Sequence, residues 1–63
     1  MKNERYILTD GIVYITHKGA WTRDLRLAMK WNYRPERELA DCRVVFGSSL
    51  TIKRVHLDTW RVR

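Results

Sequence analysis

The chain has 63 residues, and a domain of this size buries about 60% of the surface of its unfolded chain. That leaves little room for an enclosed active site. The composition is 44% hydrophobic and 11% aromatic, which excludes a disordered polar tail and indicates one small globular domain. Thirteen Lys and Arg against seven Asp and Glu give a formal charge of +6, which favours an acidic partner or contact surface.

Cysteine and histidine usage argues against cross-links and metal. The single cysteine, Cys42, cannot form an internal disulfide and favours a reducing compartment. Together with His17 and His56 it is too widely spaced for a structural zinc site, so we expect no metal and no cofactor. Residues 1–5 lack the apolar run of a signal peptide, and the longest uncharged stretch, 44–52, is far shorter than a membrane span. We therefore expect a cytoplasmic protein that makes no membrane contact.

Two β-rich runs, residues 6–9 and 12–16, flank Asp10-Gly11, a dipeptide that favours a type I′ hairpin turn. A two-residue loop would pair Thr9 with Ile12. Because successive side chains of a strand alternate between faces, the predicted core face then carries Tyr6, Leu8, Val13 and Ile15. The other face is unusually apolar for a solvated surface, so either another element of the chain covers it or a partner or a second copy docks there. Because a single layer of short helices can cover only one side of the sheet, we expect a partner or a second copy of the chain to cover Ile7, Ile12 and Tyr14.

The middle of the chain predicts a helix broken at Pro35. Thr22 is a suitable N-cap, and Asp24 suits the positive end of the helix dipole. The helix would bury a stripe of Leu25, Ala28 and Met29 and expose a basic stripe of Arg23, Arg26 and Lys30. Arg34 is biased away from the α region by the proline that follows it, so the first helix ends there. A short second helix is predicted at about 35–42, with Leu39 and Cys42 facing inward.

From residue 44 onward the pattern returns to strands, at 44–46, 50–57 and 60–62, with a turn at 47–49. Leu50 and Ile52 are out of phase with Val55 and Leu57, which predicts a bulge near Lys53-Arg54. The whole chain is thus predicted to be a single α+β domain. Its small antiparallel sheet is built from an N-terminal β-hairpin and C-terminal strands, and the broken helix covers one face.

Catalysis has little support in the pattern. His17 or His56 with Asp58, Cys42 or a serine would be the only acid–base or nucleophile pairs, and no motif positions them. We therefore expect a protein that is not an enzyme. Cys42 itself is typical of a small buried hydrophobic residue.

The basic residues are better candidates for a binding surface. Trp60 stands among the cations of the last third, whereas Trp21 and Trp31 are predicted to pack in the core. Basic residues interleaved with an aromatic can contact phosphates and stack a base, and Trp and Arg are equally typical of protein contacts. The candidate partner-binding residues are Trp60, Arg61, Arg63, Arg54, Lys53, Arg23, Arg26 and Lys30.

The stretch 6–16, then Trp21-Thr-Arg-Asp-Leu-Arg-Leu-Ala28, Trp31 and Glu36, resembles a pattern of small proteins of tailed bacteriophages. In that pattern a tyrosine-rich hairpin leads to an aromatic-Thr-x-Asp-Leu-x-x-Ala helix start and a second, short helix with an acidic start. The resemblance covers about half of the chain.

The resemblance implies a phage accessory protein of the host cytoplasm that binds and inhibits a host protein of defence or transcription by steric occlusion. The target would present an acidic or nucleotide-binding surface. Nucleic-acid binding through the basic C-terminal strands and the basic helix stripe is the alternative. A third interpretation is a nucleotide signal held between two copies of the chain.

Overall fold

A computed structural model describes residues 3–62. The elements in chain order are β1 (Glu4–Thr9), β2 (Tyr14–Ile15), β3 (Trp21–Thr22), one 3₁₀ turn (Leu25–Leu27), α1 (Glu36–Phe46), β4 (Thr51–His56) and β5 (Arg61–Val62). The strands form one antiparallel sheet in the order β3-β2-β1-β4-β5, which confirms the predicted α+β class. Within the described residues, no helix has the length and apolar character needed to cross a bilayer.

The β1–β2 hairpin forms, but its loop is longer than predicted. Thr9 pairs with Tyr14, so residues 10–13 make the loop. Asp10 Oδ1 accepts the amides of Ile12 and Val13, and Thr9 Oγ1 accepts the Gly11 amide and donates to the Val13 carbonyl. These side-chain bonds satisfy the loop backbone without a two-residue turn. The register shifts by an even number of residues, so each strand side chain keeps its predicted face.

The pairing of β1 with β4 is continuous, from Glu4 opposite His56 to Thr9 opposite Thr51. The predicted bulge near Lys53-Arg54 is therefore wrong. The phase change in β4 arises because both faces of the sheet are covered. Ile52 packs into a cluster with Leu8, whereas Val55 belongs to a cluster with Ile7 on the opposite face.

Each face of the sheet has its own small core. On one face, α1 covers a cluster of Leu8, Ile15, Trp31, Leu39 and Leu50. On the other face, Ala28 at the end of the 3₁₀ turn packs with Ile7 and Val55 of the sheet. The partly buried side chains of Tyr14, Leu25 and Leu57 pack around these three residues.

This second core corrects the expected docking face. Ile7 is fully buried by the chain itself, and Tyr14 is half-buried against the same cluster. Ile12 lies in the β1–β2 loop and is 71% exposed. The predicted exposed apolar surface of Ile7, Ile12 and Tyr14 is therefore wrong.

The first predicted helix does not form. Trp21 and Thr22 pair with Ile15 and Tyr14 as an edge strand. Thr22 Oγ1 then accepts the Asp24 amide and Asp24 Oδ1 accepts the Arg26 amide, both at 3.0 Å. These side-chain turns compete with helix formation, and only one 3₁₀ turn follows.

After the 3₁₀ turn the chain runs extended beside β1. The Met29 amide donates to the Ile15 carbonyl, and Trp31 and Tyr6 exchange both backbone bonds, at 2.7 and 2.9 Å. Non-local pairing thus takes the backbone groups that a helix over these residues would have used.

The second helix forms and extends beyond its predicted end. It begins after Pro35 and reaches Phe46, so the predicted strand 44–46 is wrong. Leu39, Cys42 and Phe46 lie three and four residues apart and pack into the first core, which draws the last turn into the helix. Val44 and Val45 consequently face solvent, 86% and 75% exposed.

Candidate functional site

Trp60 ends the turn between β4 and β5. Its amide donates to the His56 carbonyl at 2.6 Å, and the Leu57 amide donates to the Asn3 carbonyl at 2.8 Å. The φ angle of Trp60 is 54°, in the left-handed region that bulky residues seldom adopt. Such a backbone costs on the order of 1–3 kcal/mol, so the flanking bonds hold the turn in a strained form.

The Lys30 ammonium lies over the Trp60 ring, with Nζ 5.2 Å from the ring centroid. The same Nζ donates to the carbonyls of Ala28 at 2.8 Å and Arg26 at 3.1 Å. Burial lowers the pKa of Lys30, and the charge of Asp24 opposes that shift. Trp60 as a whole is still 42% exposed. We call this pair of side chains the Trp60–Lys30 site.

One further predicted residue, Arg26, lies beside this site, whereas Arg61 does not contribute to it. Arg61 follows Trp60 directly and is exposed on β5. Arg26 supplies a carbonyl to Lys30, and its exposed guanidinium reaches Asp24, with Nε 3.4 Å from Oδ1. The structure therefore groups Trp60, Lys30 and Arg26, which come from two distant segments of the chain. Arg61 pairs with His56 and so shares the sheet face that α1 covers, away from segment 23–30.

The remaining predicted cations are not part of this group. Lys53 pairs with Ile7 and Arg54 pairs with Tyr6, so the two neighbours project from opposite faces of the sheet. Arg23 is exposed between β3 and the 3₁₀ turn. The predicted basic helix stripe is wrong, because Arg23, Arg26 and Lys30 do not share a helix. Arg63 lies outside the described residues.

The other two tryptophans differ from each other. Trp31 is buried in the first core, as predicted. Trp21, predicted to be a core residue, is 41% exposed on β3, where its ring meets Phe46 edge-on with the centroids 5.2 Å apart. Trp21 is thus a second exposed tryptophan, and its ring contacts Phe46 whereas the Trp60 ring contacts Lys30.

Among the candidate catalytic residues, His17 and Cys42 line one pocket and His56 lies beside Glu4. His56 Nε2 lies 2.9 Å from Glu4 Oε2, an ion-pair distance without hydrogen-bond alignment. Burial, with Asp41 and Glu38 nearby, raises the pKa of the Cys42 thiol and so disfavours the nucleophilic thiolate. Among residues 3–62, no group of three or more His, Cys, Asp or Glu side chains is placed to hold a metal ion.

Sequence patterns gave no sign of a cavity of about 260 Å³ on the sheet face opposite α1. It is lined by Thr9, Gly11, Tyr14, Lys53 and Val62. These residues come from four strands and a loop, so only the assembled sheet brings them together. The alternation of β4 is the one available signal, since it places Lys53 on the same face as its partner Ile7.

No protein-family model, curated protein or solved structure matches the chain. Function is therefore inferred from the residues and their geometry.

Proposed function

We propose that this chain is a non-enzymatic binding protein that holds an acidic surface of a partner protein through the Trp60–Lys30 site. The binding would inhibit the partner by steric occlusion. One observation carries the proposal: an ammonium fixed by two carbonyls lies 5.2 Å from the ring of a half-exposed tryptophan with a strained backbone.

The site suits a protein contact because it is already ordered. Ring and ammonium constrain each other, so binding costs little additional side-chain entropy. Trp is one of the residue types that most often dominate the binding energy of protein interfaces. Strained backbone at an exposed aromatic residue is also typical of functional positions.

The distribution of charge favours an acidic partner. The segment 23–30 carries Arg23, Arg26 and Lys30 against one acid, Asp24, and it covers the sheet face opposite α1. Helix α1, across the sheet, carries Glu36, Glu38 and Asp41 against Arg37 and Arg43, a net charge of −1. An acidic surface would therefore be steered toward the segment 23–30 rather than toward α1.

A protein partner fits this arrangement better than nucleic acid does. A phosphate track needs cations aligned along one surface. Lys53 and Arg54 project from opposite faces of β4, which argues against one continuous track through the C-terminal strands.

The resemblance to small tailed-phage proteins supports a host protein of defence or transcription as the partner, bound in the host cytoplasm. Within this proposal, Lys30 would contact an acidic surface of such a target.

The test is capture from a bacterial lysate, with and without nuclease treatment, using the wild-type chain, Trp60→Asn and Trp21→Ala. Asparagine tolerates a positive φ, so the first variant removes the ring and keeps the turn. Trp21→Ala is the matched control, because Trp21 is equally exposed at a different place. We expect the wild type and Trp21→Ala to recover one acidic protein that Trp60→Asn does not recover.

Recovery of the same protein by Trp60→Asn would overturn the proposal. Loss of all captured material on nuclease treatment would assign the chain to nucleic-acid binding instead.

A further inference from the structure

The cavity lined by Thr9, Gly11, Tyr14, Lys53 and Val62 shares no residue with the Trp60–Lys30 site. Its upper wall is the β1–β2 loop, which the hydrogen bonds of Thr9 and Asp10 hold in one conformation. Thr9 is buried, and both functions of its hydroxyl are used within the loop. The cavity is therefore formed before any ligand arrives.

The chemistry of the walls is that of a single cation beside apolar surface. Lys53 is exposed and forms no ion pair within residues 3–62. Val62 and the half-buried Tyr14 supply the apolar part of the lining. One ammonium can neutralise one negative charge, whereas a dianion would leave a second charge unpaired against apolar walls.

From this geometry we infer that the cavity binds a small organic monocarboxylate. The carboxylate would pair with Lys53 Nζ, and a short apolar body would lie against Tyr14 and Val62. The volume of about 260 Å³ is below the range of about 300–1,000 Å³ that is usual for small-molecule sites, so the ligand is small. Benzoate is a small monocarboxylate with an apolar ring and serves as the probe.

The test is an amide NMR titration of the full chain with benzoate at constant ionic strength. We expect saturable shifts centred on Gly11, Tyr14, Lys53 and Val62, with a dissociation constant on the order of 1–10 mM for so small and open a site. Lys53→Gln should weaken benzoate binding by about 1.5- to five-fold, the range of an exposed ion pair. Arg54→Gln is the matched control and should change nothing, because Arg54 projects from the other face. Benzamide, the neutral analogue, should bind the wild type as weakly as benzoate binds Lys53→Gln.

Three results would overturn the inference. The first is equal binding of benzamide and benzoate, and the second is an equal loss of benzoate binding in Arg54→Gln and Lys53→Gln. The third is tighter binding of inorganic phosphate than of benzoate at the same amides, which would assign the cavity to a phosphate. The amide spectrum of each variant shows in the same experiment that it is folded.

Discussion

Asp10 sets the length of the β1–β2 loop, and its ionisation should be visible there. The amides of Ile12 and Val13 donate to Oδ1 at 2.9 and 3.0 Å, and these bonds lower the pKa of the carboxyl below its ordinary value of 3.8. Because the folded-state pKa is the lower one, the carboxylate stabilises the loop fully above pH 3.8 and loses this effect as the pH falls through the folded-state pKa.

We expect the amide protons of Ile12 and Val13 to move upfield together on acidification, with a midpoint below 3.8, as measured by NMR. In Asp10→Ala the same two amides should not titrate. A midpoint at or above 3.8 would contradict the hydrogen-bonded loop.

The thiol of Cys42 should be slow to react. It packs against the first core, and burial followed by the charges of Asp41 and Glu38 raises its pKa. The thiolate is the reactive form, so we expect iodoacetamide at pH 8 to label the folded chain more slowly than the urea-unfolded chain. Equal rates in the two states would show an accessible, reactive cysteine.

Within α1, the two faces of the helix should differ sharply in their contribution to stability. Leu39 is buried against Leu8 and Leu50, whereas Val44 is almost wholly exposed. We expect Leu39→Ala to lower the free energy of unfolding by about 2–5 kcal/mol and Val44→Ala to change it by less than about 0.5 kcal/mol. Urea unfolding followed by circular dichroism measures both changes in the free energy of unfolding. Similar losses in the two variants would contradict the packing of α1 on the sheet through Leu39.

The elements that could be predicted are those specified by local chemistry. Pro35 followed by acidic residues marks the start of α1, and Asp10-Gly11 marks the hairpin. The end of α1 could not be read locally, since Val44 and Val45 favour strands and Phe46 is held in the helix by the core. The structure of residues 22–33 could not be predicted from local sequence either, because backbone hydrogen bonds join this segment to β1 and β2.

The candidate site was only partly predictable for the same reason. Exposure of Trp60 followed from its setting among charged residues. The approach of Lys30 depends on a chain segment thirty residues away and on the extended path beside β1. The separation of Lys53 from Arg54, in contrast, was already implied by placing both in one strand.

The molecule as a whole relies on two small cores, so a loss in either should be severe. A chain of 63 residues has a total stability of roughly 3–9 kcal/mol. We expect Ile7→Ala to remove about 2–5 kcal/mol of it, because Ile7 is fully buried in the second core. Ile12→Ala is the control from the exposed loop and should cost less than about 0.5 kcal/mol in urea unfolding. Comparable losses would mean that the second face is not closed by the 3₁₀ turn.

Trp60 and Lys30 are proposed to act as one binding site for an acidic surface. A double-mutant cycle on the dissociation constant of the captured partner, with Trp60→Asn, Lys30→Gln and the double variant, distinguishes one shared site from two independent contacts. When two residues act together, the free-energy changes caused by their substitutions do not add in the double variant. We expect Trp60→Asn to weaken binding at least about ten-fold, Lys30→Gln to weaken it a few-fold, and the double variant to bind no more weakly than Trp60→Asn alone. Unchanged affinity in Trp60→Asn, or effects that multiply fully in the double variant, would contradict a shared site.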